Sequence, residues 1–167
     1  MPGDLFKAFV IGGAGGHFSF NGFTARKEVF SEVAFFDEKL EMYEDTMLMF
    51  QLSAKCRLFP GNINNPVAMR RVHSSNRITH RFSDRRKTYD TLLEFWELFL
   101  EWAKKNLSPE QTRWVYHKMI THIRNVDFPE YSNLEKFITS RKNMFWFAIK
   151  NPTMFREYIF WRYMFPL

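Results

Sequence analysis

The sequence predicts a mixed, helix-rich α/β chain in two parts: α/β to about residue 87, then an α-helical extension over 88–167. Three observations carry that expectation. Before residue 87, short apolar runs are separated by Gly, Pro and Asn, the punctuation of brief strands and helices. After it, apolar residues recur every three or four positions, with acidic residues off that face. Between them the charge changes abruptly: Arg70 to Lys87 holds seven basic residues and only Asp84, a net of +6, whereas residues 1–69 carry −2 and 88–135 carry −3.

Taken in order, Phe6 to Ile11 is an apolar run before the glycine-rich break Gly12-Gly13-Ala14-Gly15-Gly16. His17 to Thr24 alternates loosely and fits a strand. Arg26 to Val33 fits a short helix that turns Val29 and Phe30 inward. Glu44 to Ala54 places Met47, Leu48 and Leu52 on one helical face, with Phe50 at its edge. Arg57-Leu58-Phe59 and Val67-Ala68-Met69 then read as short strands about the turn Pro60-Gly61-Asn62.

In the second part, Leu92, Leu93, Trp96, Phe99, Leu100 and Ala103 share a helical face. Ser108-Pro109 opens the next helix as N-cap and first position. That helix runs to about Asn125 and buries Trp114, Val115, Met119, Ile120 and Ile123, and Phe128-Pro129 breaks it. Leu134 to Ile149 and Pro152 to Met164 are expected as two further helices.

Composition narrows the function classes. The chain has 167 residues, enough for one domain with a core or part of a larger one. Aromatics make up 19%, including 20 Phe, so a deep core, a partner or a membrane interface must cover them. The single Cys56 excludes an internal disulfide and fits a reducing compartment. The start MPGDLFKAFV lacks the pattern of a signal peptide, and the apolar tail is interrupted by Lys150, Pro152, Arg156, Glu157 and Arg162. A spanning helix needs about 20 mostly apolar residues, so none is expected. Residues 136–167 carry +5 among many aromatics, a pattern that suits either an anionic membrane surface or packing against a partner. Nucleic acid is a poor fit, because the aromatics lie on apolar helix faces and do not alternate with basic residues on one surface.

Two motifs admit two readings each. Gly12 to Gly16 can approach a phosphate, or simply be a loop; no Gly-Lys-Ser/Thr ending makes it a P-loop. Glu44–Asp45 suits the positive end of a helix dipole on electrostatic grounds alone, or serves as a placed acid and base.

The order of segments from about Gly15 to His73 resembles the acceptor-side half of a family 2 glycosyltransferase with the GT-A fold. The resemblance rests on Gly16-His17, Thr24-Ala25-Arg26, Phe36-Asp37-Glu38, Tyr43-Glu44-Asp45, the helix from Met47 to Leu52, Leu58-Phe59 and Arg70-Arg71-Val72-His73. It implies the C-terminal part of a GT-A fold followed by the helical extension. It further implies transfer, with inversion, of a sugar from a nucleotide-sugar donor to a glycan or lipid-linked acceptor. Asp45 is then the general base and Glu44 orients it or contacts the acceptor. Gly15, Gly16, His17, Asp37, Arg70 and Arg71 are implied substrate contacts. A divalent metal, Mg or Mn, is implied as cofactor, with His73 as a late ligand.

The main metal ligands of that family form an Asp-x-Asp motif in a nucleotide-binding half, and no Asp-x-Asp occurs in this chain. The resemblance therefore implies a truncated chain, inactive alone and binding nucleotide sugar poorly by itself. The implied location is cytoplasmic, peripheral on the inner face of a membrane. Two other classes stand beside this one: a non-catalytic membrane- or anion-binding helical module, and a nucleotidyltransferase of related fold.

Overall fold

Phe6 and Val10 are one helical turn apart, and both are fully buried. That spacing places them on one side of a helix and would equally place them on one face of a strand, so it does not choose between the two. In the computed structural model Asp4–Ile11 is helical (α1). The structure describes residues 4–12, 22–33, 35–61, 64, 84–125 and 128–165. The chain divides into two compact units, Met1–Ser83 and Asp84–Leu167.

In the first unit α1 is followed by α2 (Val29–Glu32) and α3 (Glu44–Lys55), and α1 packs on α3. Phe6 meets Phe50 edge-on, with ring centroids 6.5 Å apart. Val33, Leu48, Met49 and Leu52 form a buried cluster, with Val29, Phe30 and Leu58 packed around it. The inward turn expected of Val29 and Phe30 is therefore present, on a helix shorter than the spacing implied.

No strand occurs among the described residues, and this overturns the expected α/β class and the GT-A fold with it. The physical reason is visible at Arg57-Leu58-Phe59. Its chain has no regular structure, and the Arg57 guanidinium lies 5.0 Å from the Phe59 ring centroid. β-propensity alone does not make a strand; a neighbouring chain must complete the hydrogen-bond ladder. Phe23 and Thr24, the described end of the expected His17–Thr24 strand, are likewise irregular. His17 to Phe20 and Val67 to Met69 lie outside the described residues.

The second unit holds α4 (Arg85–Asn106), α5 (Pro109–Arg124), α6 (Asn133–Lys150), a 3-10 turn (Pro152–Arg156) and α7 (Tyr158–Met164). Asp84 caps α4 by accepting from the Lys87 backbone N–H at 3.0 Å. Ser108 caps α5 and forms a reciprocal capping box with Gln111; Ser132 does the same for α6 with Glu135. α4 packs on α5, and α5 packs on both α6 and α7. Phe95, Trp96, Phe99, Leu100 and Ala103 are buried on α4, and Val115, Met119, Ile120 and Ile123 on α5. Leu92, Leu93 and Trp114 are only partly covered.

Tyr89 ties three helices together. Its hydroxyl donates to the Ile123 carbonyl at 2.7 Å and accepts from the Asn143 amide at 3.2 Å. Burial pushes its pKa up to about 12. Tyr89→Phe leaves a buried carbonyl without its donor and is expected to cost about 1–2 kcal/mol in urea unfolding. An unchanged midpoint would show that these bonds contribute nothing net.

The expected single helix from Pro152 to Met164 is instead broken at Glu157, which has extended backbone. Met154 and Phe160 explain the break, since both are fully buried. In one continuous helix, six residues turn through about 240° and would aim them to different sides. The break is held by Tyr116 and Thr153 hydroxyls at 2.7 Å, and by Arg113 with Glu157 at 3.1 Å. Trp161 Nε1 also donates to the Phe155 carbonyl at 2.7 Å.

Candidate functional site

α3 delivers the Glu44–Asp45 pair. The helix is buried at Met47, Leu48, Met49, Gln51, Leu52, Ser53 and Ala54, so its axis is fixed by the packing of most of its circumference. Its two ends reach water: Asp45 is exposed and Glu44 partly covered in the first turn, and Lys55 is exposed in the last. The chain enters through Tyr43 at φ 68° and ψ 8°, the left-handed region. It is the single non-glycine residue with positive φ among the described residues. That conformation costs about 1–2 kcal/mol for an L-residue, and such outliers collect where a chain must aim a particular group. Burial also raises the Tyr43 hydroxyl pKa.

Asp45 Oδ1 accepts from the Thr46 backbone N–H at 2.6 Å and from the Thr46 hydroxyl at 3.2 Å. One carboxylate oxygen is thereby held in place by its own turn. Asp37 lies in the preceding turn, where its Oδ1 accepts from the Lys39 N–H at 3.0 Å and its carbonyl from the Leu40 N–H at 3.1 Å. Asp37 thus shapes the approach to α3. Gly15, Gly16, His17, Arg70, Arg71 and His73 lie outside the described residues. Among the described residues no three His, Cys, Asp or Glu side chains converge on a point that could hold a metal ion. The described residues therefore do not fit the implied metal by themselves.

A second locality was not legible in the sequence. In the second unit, the end of α5, the first half of α6 and the last turns of α7 line a solvent-open cavity of about 840 Å³. Arg124, Lys136, Arg141 and Arg162 line it, together with Phe137, Trp161 and Tyr163, and among the described residues no carboxylate does. Arg141 lies 3.8 Å from the Phe137 ring centroid and Arg124 lies 4.8 Å from that of Tyr163. Arg141 Nη1 donates to the Ser140 hydroxyl at 2.9 Å, while its Nε is buried with no hydrogen-bond partner. Burial, and then the Arg124 charge, lower the Arg141 pKa from its ordinary value. The signal in the sequence was the acid-poor run after Lys136, but Arg124 belongs to a different helix and no spacing rule links it to Arg141. No helix among the described residues is long and apolar enough to cross a membrane.

No protein family, curated protein or solved structure matches this chain.

Proposed function

We propose that the chain serves in the inverting transfer of a sugar from a nucleotide-sugar donor to a glycan or lipid-linked acceptor, with Asp45 as the base. The observation that carries this reading is the exposed carboxylate of Asp45 in the first turn of a helix whose middle is buried. It gains support from the order of segments around it, in which Phe36-Asp37-Glu38 and Tyr43-Glu44-Asp45 stand as they do in family 2 glycosyltransferases. The reading makes no use of a sheet.

The step itself is a single displacement. The acceptor hydroxyl oxygen attacks the anomeric carbon as its proton passes to the Asp45 carboxylate. The bond from the anomeric carbon to the donor diphosphate breaks, and the diphosphate leaves with the electron pair. A sugar hydroxyl is too weak an acid to ionise beforehand, so the carboxylate must act as the bond forms. Thr46 holds one oxygen of Asp45 through its N–H and hydroxyl, which leaves the other to take the proton. Glu44 stands beside it to contact the acceptor. The work takes place on the cytoplasmic side, at the inner face of a membrane.

The test is a transfer assay on the protein isolated intact from its own cells, with a panel of nucleotide sugars and the membrane lipids as acceptors. The expected result is acceptor-dependent release of nucleoside diphosphate. Release that is independent of acceptor, or absent with every donor, contradicts the reading.

A further inference from the structure

We propose that the cavity between α5, α6 and α7 is a receptor for the phosphate headgroup of an anionic phospholipid, which seats the second unit on a membrane surface. The assignment is independent of sugar transfer and stands on three observations.

The first is charge. Arg124, Lys136, Arg141 and Arg162 line one cleft, with no acidic side chain among the described lining residues. The ion pairs given by the described residues of this unit, Arg113–Glu157 and Lys150–Glu97, lie elsewhere. Bringing like charges together in a partly desolvated cleft is unfavourable until an anion enters. The second is an unmet donor: Arg141 Nε is buried without a partner. A guanidinium presents its donors as a fork that matches phosphate oxygens, and a buried donor left empty is costly.

The third observation selects the kind of phosphate. α6 leaves Leu134, Ile138, Phe145 and Ile149 exposed, and with Arg141 their spacing of 4, 3, 4 and 4 residues makes one helical stripe. At the end of α7, Trp161 and Phe165 stack at 6.0 Å and remain 44% and 65% exposed. A soluble phosphate has no use for an apolar stripe around its site. A bilayer does: it takes aliphatic side chains below the headgroups and aromatic rings at their level, while the guanidinium meets the phosphate. The net charge of +5 over residues 136–167 has the sign that an anionic surface needs.

The experiment is sedimentation of the full chain with phosphatidylcholine vesicles, with and without phosphatidic acid, at physiological salt. Binding is expected to require phosphatidic acid. Arg141→Gln should weaken it by more than about 20-fold, because a forked phosphate contact is lost along with the charge. Lys142→Gln removes the same charge from an exposed neighbour outside the cavity, and should weaken binding by about fivefold or less. Arg124→Gln alters an exposed side chain, and its loss of binding is read beside an unchanged urea-unfolding midpoint, which separates it from misfolding. Equal losses from Arg141→Gln and Lys142→Gln would overturn the receptor in favour of diffuse attraction. So would full binding by Arg124→Gln, or equal binding to neutral vesicles. Calorimetric uptake of inorganic phosphate without any vesicle binding would overturn the lipid assignment.

Discussion

Asparagine in place of Asp45 is expected to lower the rate of sugar transfer by at least about 100-fold, the usual share of a placed general base. The substitution is chosen because it preserves almost everything else. The asparagine carbonyl can still accept from the Thr46 N–H and hydroxyl, which now hold Asp45 Oδ1. One negative charge near the start of α3 is lost, worth about 0.3–1 kcal/mol of helix stability at an exposed site. Glu44 remains to face the helix dipole. Far-UV circular dichroism should therefore be unchanged while kcat falls. Thr46→Val, which removes only the 3.2 Å hydroxyl contact, should have a much smaller effect. An Asp45→Asn protein with the kcat of the unaltered chain would remove Asp45 from the mechanism.

Acid should destabilise the second unit through His122. The ring lies edge-on to Trp96 at 5.2 Å on the side of α5 that packs against α4. Burial, reinforced by the Lys118 charge, lowers its pKa from 6.5 to about 4. The unfolded chain therefore takes up a proton below pH 6.5 that the folded chain refuses until about pH 4. The stabilisation is complete above pH 6.5 and is lost as pH falls from there to about 4. Below that both states are protonated and the loss levels off. By linkage the whole loss is of order 3 kcal/mol, large against the usual stability of a domain. His122→Leu should abolish that part of the slope in urea titrations between pH 7 and 4. If the unaltered and His122→Leu chains lose stability in parallel, the partly buried neutral imidazole is not its cause.

The three long helices of the second unit were legible because each carries its own periodic face. Ser108-Pro109 caps where its chemistry says it should, and Trp96, Phe99, Ile120 and Ile123 are buried where their spacing puts them. What failed were inferences that need a second piece of chain. Arg57-Leu58-Phe59 has strand-like residues but no strand beside it among the described residues. The run from Pro152 to Met164 has helical residues, but burying both Met154 and Phe160 demanded a break.

The two sites differ in the same way. Glu44 and Asp45 are adjacent and open a periodic helix, so their placement follows from local rules; the positive φ of Tyr43 does not, because tyrosine gives no sign of it. The cavity gathers Arg124, Arg141 and Arg162 from three helices. Only the packing of α5 against α6 and α7 brings them together, and no pattern along the chain encodes that distance.

The most direct measurement of the central claim is made in the cell. The codon for Asp45 is changed to that for Asn at the native locus, and the surface and lipid-linked glycans are compared by mass spectrometry with those of the parent and of a complete deletion. The account predicts that the Asn variant accumulates the same shortened glycan as the deletion, lacking one sugar, while the protein is present at its normal level. A glycan profile identical to that of the parent would contradict it.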